Sequence, residues 1–406
     1  YFFNADGKML TGWVTADGTD VVNEESTIDK DYTFYADETG ARVETDWILT
    51  VEPGTEEDDA DADYYYYYLL SSGKVATGKR NNIKGQTYLF DEEGKMLSGW
   101  VRGTEVGSGS NADTIYEEID GENSNIELVN AADVSYYYCG GADDGHVKKD
   151  KWIKTWRPMN TYEEDEDVSK YWYWIESNGE VFVPAATDTV GYRFELTDGS
   201  LEQKTDSPIS VIKKKINSKD YFFNQNGETL ANFIEIVAVD ENDKDLFEGM
   251  YYFGGSDDGS MKTGAETVRD DNLDSFKFYF GTKNSGGEHK GVGITGNKSN
   301  KLYYKGHLIA AQDYRYQPVI IDGYTFIVNT NGTIQHSTVE YREDGDTLID
   351  ASSDDIKFVA DGWNKYALTK ESAEAINWSN VDFLDPTDVM TSYVASPSNP
   401  SPANAE

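Results

Sequence analysis

The chain has 406 residues, 75 of them Asp or Glu against 35 Lys or Arg, for a formal net charge of −40. That balance excludes nucleic acid as a partner, since phosphate contacts need clustered Lys and Arg, and no apolar run approaches the ~18–20 residues of a membrane span. The hydrophobic 38% contains 29 Tyr, 17 Phe and 9 Trp, so rings burying roughly 150–250 Å² each are expected to carry the core.

The first element, Tyr1-Phe2-Phe3-Asn4-Ala5-Asp6-Gly7-Lys8-Met9-Leu10-Thr11-Gly12-Trp13-Val14, sets an aromatic run before a polar turn and closes a second apolar run on Gly-Trp. Alternation within the runs and a glycine where φ must be positive predict a β-hairpin. The pattern returns almost verbatim at 88–101 and, in its first half, at 221–230. Self-similarity of this kind predicts a repeat array. Because residue 1 already lies inside a copy, the native N-terminus is expected upstream.

Other copies are less regular. At 32–48 an Asp stands where Gly precedes Trp, and the acidic block 56–63 reads as an exposed loop inserted between hairpins before the run Tyr64-Tyr65-Tyr66-Tyr67-Tyr68. The stretch 103–110 looks linker-like. Two copies share an aromatic run, Gly-Gly, a small residue and Asp-Asp-Gly, at 136–145 and 251–259. Further aromatic runs lie at 171–179, 192–199, 276–281, 302–306 and 324–332, with a partial unit at 358–368. Residues 369–378 form the one convincing helix, with Thr369 as its cap, closing the last open edge. The boundaries predicted are 1–157 for N-terminal hairpins with acidic insertions, 158–368 for divergent hairpins, 369–385 for the helical cap and 386–406 for a Pro/Ser-rich linker leading to further sequence.

The aromatic triplet, polar Gly turn and Met-Leu-x-Gly-Trp resemble the cell-wall-binding repeats of Gram-positive bacteria, the family of choline-binding and glucan-binding repeats. The resemblance implies an all-β, elongated β-hairpin solenoid with loop insertions and a short C-terminal helix, whose tryptophans and strand aromatics frame shallow ligand cages. Carried over position by position, it implicates Trp13 and Trp100 directly, Trp47 and Trp152 at equivalent places, and Tyr35, Tyr88 and Tyr138 on the strands. The pattern is degenerate: Lys79 follows Gly78 and Phe233 follows Asn232 where Trp would stand.

Other chemistry is thin. Cys139 is the single cysteine, so no intrachain disulfide framework exists, and it reads as a small strand residue. His146, His289, His307 and His336 are too scattered for a metal site or a catalytic triad. Gly291-Val292-Gly293-Ile294-Thr295-Gly296 matches a dinucleotide fingerprint in letters, but a strand rather than the required helix is expected after it. The Asp143-Asp144-Gly145 and Asp257-Asp258-Gly259 turns offer carboxylates to Ca²⁺ without the full loop spacing; no cofactor is otherwise implied.

These readings converge on a non-catalytic protein, secreted or displayed on a Gram-positive cell surface. It would bind cell-envelope or extracellular polysaccharide, choline-decorated or not, through exposed aromatics. The alternative is a structural stalk, adhesin or self-assembling surface filament that contacts protein partners or further copies of itself.

Overall fold

The structure is a computed structural model that describes residues 1–15, 17–22, 34–55, 62–119, 126–158 and 170–387. It is built of antiparallel strands and one short helix, and it falls into two compact units, Tyr1–Pro184 with Asn226–Glu228, and the chain from Ala185 without those three residues. The all-β hairpin array predicted from the repeats is what forms.

The phase of the hairpins differs from the sequence expectation. In the first unit the Gly-Trp strand does not ladder with the aromatic run of its own motif. It pairs with the aromatic run of the next one: Gly12–Val14 with Phe34–Ala36, Asp46–Val51 with Tyr64–Leu69, Gly78–Ile83 with Gln86–Phe90, Trp100–Val106 with Val134–Tyr138, and Lys151–Thr155 with Tyr171–Ile175. Within one motif the two runs share a single bridge, Phe90 to Met96, held by a tight turn in which Asp91 N–H donates to Lys95 O at 3.0 Å and Leu97 N–H to Leu89 O at 2.9 Å.

A left-handed corner causes the switch. Gly12 and Gly78 open their strands and Gly99 immediately precedes its own, with φ of 80°, 66° and 59°, which turns the chain off its own motif and aims it at the next. Where Gly is missing, the corner survives on poorer residues, Thr45 at φ 54°, Asp150 at 49° and Asn232 at 59°.

Consequently the insertions lie at hairpin ends and not between hairpins. The acidic block, whose residues 56–61 fall outside the described ones, joins the two strands of one ribbon. The stretch 103–110 is not a linker: the strand Trp100–Val106 runs into it and takes Asp113–Glu118 on its second edge. Gly103 is there for close approach, since a Cβ would stand 3.0 Å from both Ser135 Oγ and a Tyr116 ring carbon.

In the second unit, two-stranded ribbons give way in places to wider sheets. Val190–Thr197, expected to be a weak hairpin strand, is the centre of a five-stranded sheet, paired with Phe233–Ala238 on one side and with Ser200–Gln203 and Ile209–Ser210 on the other. Gly191 permits this, because any Cβ there would sit 2.6 Å from Glu235 O. A second five-stranded sheet spans 264–308. Here burial is only partly aromatic: Phe194, Phe233, Phe278 and Phe280 fill one cluster, but Leu302, Val319, Ile321, Val328 and Ile334 fill another.

The helix forms over Lys370–Ala375, with Thr369 Oγ1 accepting from Ser372 N–H at 3.4 Å. It ends earlier than expected because Ile376 leaves the helical region to join a cluster with Tyr341 and Ile349. Gly296–Lys298 is a strand, so the letters Gly-x-Gly-x-x-Gly are turn chemistry. The Pro/Ser-rich segment beyond residue 387 lies outside the described residues.

Candidate functional site

The register places an aromatic pair directly opposite in ribbon after ribbon of the first unit: Trp13 with Tyr35, Trp47 with Tyr68, Trp100 with Tyr138, and Trp152 with Trp174. Centroids are 5.2–5.4 Å apart with rings near perpendicular, the edge-to-face arrangement that ring quadrupoles favour. A further ring comes from the following ribbon. Tyr67 stands 4.8 Å from Trp13, and Tyr173 stands 5.0 Å from Trp100.

That third ring seals the two intact Gly-Trp positions. Trp13 is 6% exposed and its indole N–H donates to Val51 O at 2.9 Å; Trp100 is 2% exposed and donates to Trp156 O at 3.1 Å. A buried indole whose one donor is satisfied by the next ribbon's backbone is glue between ribbons.

Trp47 is different. It is half-buried, with no hydrogen bond to its indole N–H among the described residues. Tyr68, Tyr88, Phe90 and Tyr66 surround it at 5.2, 4.8, 5.8 and 6.5 Å. Directly opposite partners share a face, so the pairs Trp47–Tyr68, Leu49–Tyr66 and Val51–Tyr64 line one side of the ribbon. Leu49 and Tyr64 on that side are 52% and 51% exposed. Val51 and Tyr68 on the same side are buried, so the open part is Leu49 and Tyr64 with half-buried Trp47 and Tyr66, backed by the ring cluster. Half-buried Tyr88 belongs to it, its phenol pushed up by burial and then by the Asp144 carboxylate. Half-buried Trp152 and Tyr138 do not, since their rings pack on Trp174 and Trp100 instead of Trp47.

Beside the Trp13–Tyr35 pair opens a cleft of about 480 Å³, lined by Trp13, half-buried Tyr35 and, among the described residues, one charged side chain, Glu38. Sequence reasoning singled out Trp47 and Tyr88 but missed Tyr64, Tyr66 and Leu49. Period two was the available signal: in a run of five tyrosines, 64, 66 and 68 must share one face and 65 and 67 the other. Tyr67 is fully buried, and the outer face of Tyr65 is covered by Lys95 Nζ at 4.3 Å from the ring centroid.

The two Asp-Asp-Gly turns spend their second aspartate internally. Asp144 accepts from Lys148 at 2.7 Å and also bonds His146, and Asp258 pairs with Lys262 and Ser260. Hydrogen bonds from the lysines lead what holds both carboxyls low against the opposing effect of burial. Gly140 and Gly254 make room for these aspartates, because a Cβ at either would collide with Asp144 or Asp258. Among the described residues no group of three or more His, Cys, Asp and Glu is placed to hold a metal. Burial pushes the Cys139 thiol up to about 12, which leaves it a packing residue.

No family model matches the sequence, and no curated protein matches it. Solved structures do. CbpJ from Streptococcus pneumoniae TIGR4 is 14% identical, with 82% of this chain and 89% of that chain covered, at a TM-score of 0.25. Choline binding protein F from Streptococcus pneumoniae, crystal form II, is 16% identical over 79% of this chain and 99% of that chain, at 0.23. The modular autolysin LytC from Streptococcus pneumoniae, solved with a synthetic peptidoglycan ligand, is 14% identical over 78% of this chain and 53% of that chain, at 0.22. These neighbours include choline-binding proteins, the class whose repeats the sequence resembles. No described helix is long and apolar enough to cross a membrane.

Proposed function

We propose that this chain is a non-catalytic, cell-surface repeat protein that binds cell-envelope or extracellular polysaccharide on the open face around Trp47. One observation carries the reading: Trp47 stays half-exposed within a cluster of four rings and beside exposed Leu49 and Tyr64, while Trp13 and Trp100 are sealed. A half-exposed indole suits the C–H faces of sugars, and a quaternary ammonium such as choline gains about 0.5–1 kcal/mol over an exposed ring. The cleft beside Trp13, lined by the Glu38 carboxylate, supplies a concave neighbour for a cationic group. A single shallow face binds weakly, so retention on a polymer depends on several contacts along one strand.

The test is co-sedimentation of the purified chain with cell walls and with α-glucans, with and without free choline. Trp47→Ala and Tyr66→Ala should reduce retention at least several-fold with the circular dichroism spectrum unchanged. Retention equal to wild type in both variants, or no retention of the wild type on any polymer, refutes the assignment. The exposure of Leu49 and Tyr64 also favours self-association through the same face, which concentration-dependent light scattering reads directly.

A further inference from the structure

A cleft of about 560 Å³ in the second unit is lined by Lys213, Lys215, Lys244 and Lys290. Its basic wall comes from the strand Ile212–Ile216, where alternation puts Lys213 and Lys215 on one face. In a chain with about two acidic residues per basic one, lysines ordinarily find carboxylates, as Lys95, Lys204, Lys262, Lys298 and Lys305 do. Among the described residues, Lys213, Lys215 and Lys244 form no ion pair.

The acidic groups of the cleft are partly spent. Asp220, 8% exposed, accepts from Lys290 Nζ at 2.8 Å, and Asp243 Oδ2 accepts from the hydroxyls of Thr187, at 3.3 Å, and Thr189. Only exposed Asp245 lacks such a partner on this wall. Asn284 turns its amide oxygen to Lys290 N–H at 2.6 Å, which leaves its amide hydrogens as donors. The −40 charge of the whole chain does not decide the local sign, because charges beyond a Debye length of about 8 Å are screened at physiological salt.

From this wall we infer that the cleft binds a phosphate-type oxyanion. Ammonium groups donate from several directions and match a tetrahedral anion, whereas planar carboxylates favour the guanidinium fork, and no arginine lines the cleft. The volume exceeds that of a single phosphate and admits the phosphate ester of a polymer as well as the free ion. The inference is independent of the aromatic face, which lies in the other unit.

The experiment is titration of the full chain with inorganic phosphate, followed by amide chemical shifts of residues 212–220 and 284–290, with sodium acetate at matched ionic strength as control. Dimethyl phosphate and polymeric glycerol phosphate are further arms that separate the free ion from an ester. Saturable shifts confined to the cleft are expected with phosphate and not with acetate. Two charges contribute roughly fivefold each at contact distance in high dielectric, so Lys213→Gln/Lys215→Gln should weaken binding at least tenfold, while Lys277→Gln, outside the cleft, should not. If the double variant does not fold, Lys244→Gln, on an exposed side chain, should still weaken binding several-fold. Absence of a saturable response in the wild type, an equal response to acetate, or full affinity in folded Lys→Gln cleft variants would overturn the inference.

Discussion

Trp100→Ala tests whether the Gly-Trp tryptophans are glue between ribbons. The side chain is 2% exposed, meets Tyr138 and Tyr173 at 5.4 and 5.0 Å, and satisfies Trp156 O. Truncating a buried Trp costs about 3–5 kcal/mol, and the spread depends on how far the site collapses. Here two further effects push toward the upper end. The carbonyl of Trp156 loses its donor, worth about 1 kcal/mol, and Tyr138 and Tyr173 lie on separate ribbons that cannot close the gap together. Half-buried Trp47 removes less area, and Trp47→Ala should cost about 2 kcal/mol.

Arrays unfold through nearest-neighbour terms, so the assay combines urea titration with hydrogen exchange on the amides of Val134–Tyr138 and Tyr171–Ile175. Trp100→Ala should collapse protection of both strands and lower the midpoint of the first unit by more than twice the shift seen for Trp47→Ala. If Trp100→Ala keeps stability within about 1 kcal/mol of wild type yet abolishes polysaccharide retention, the assignment of sealed and open tryptophans is reversed and the reasoning fails.

Three further outcomes are expected. Gly140→Ala should destabilise the 136–145 turn by roughly 1–3 kcal/mol, because its Cβ would fall 2.2 Å from Asp144 Oδ2, while adjacent Gly141→Ala, with nothing within 4 Å, should be neutral; paired thermal melts decide it. Tyr67→Phe should be neutral or stabilise by up to about 1 kcal/mol in urea, since the Tyr67 hydroxyl is buried without a hydrogen-bond partner among the described residues. Acidification should act oppositely on the two units. Burial depresses His307 to about 4, so its contribution is whole above its unfolded value near 6.5 and is lost as pH falls toward 4. Burial raises Asp91 to about 6, so its contribution is whole below its unfolded value near 3.8 and is lost as pH rises through 6. Between pH 6 and 4 the first unit should therefore gain at Asp91 while the second loses at His307; His307→Gln and Asp91→Asn should each flatten its own unit's profile.

Much of the architecture was legible because the repeat writes its strands in aromatics and its turns in glycine. Thr369 announced the helix for the same local reason. Pairing phase was not legible, because the aromatic run and Gly-Trp of one motif are as close in sequence as a hairpin requires. Only the backbone shows that Gly12 and Gly99 are left-handed corners at the starts of their strands. The wide sheet around Val190–Thr197 was hidden similarly, since Gly191 signals close approach only once Glu235 is beside it. At the candidate site, the family-like positions pointed to Trp13 and Trp100, which the next ribbon covers. The open indole belongs to the degenerate copy, where Asp46 stands in place of Gly and the corner has moved back to Thr45.

Cross-strand nuclear Overhauser contacts around Gly99-Trp100-Val101 test forward pairing most directly. The account predicts a ladder joining Trp100 to Tyr138 and Val101 to Tyr137, with the indole protons of Trp100 close to the rings of Tyr138 and Tyr173. A ladder joining Trp100 and Val101 to residues 88–90 of their own motif would contradict it.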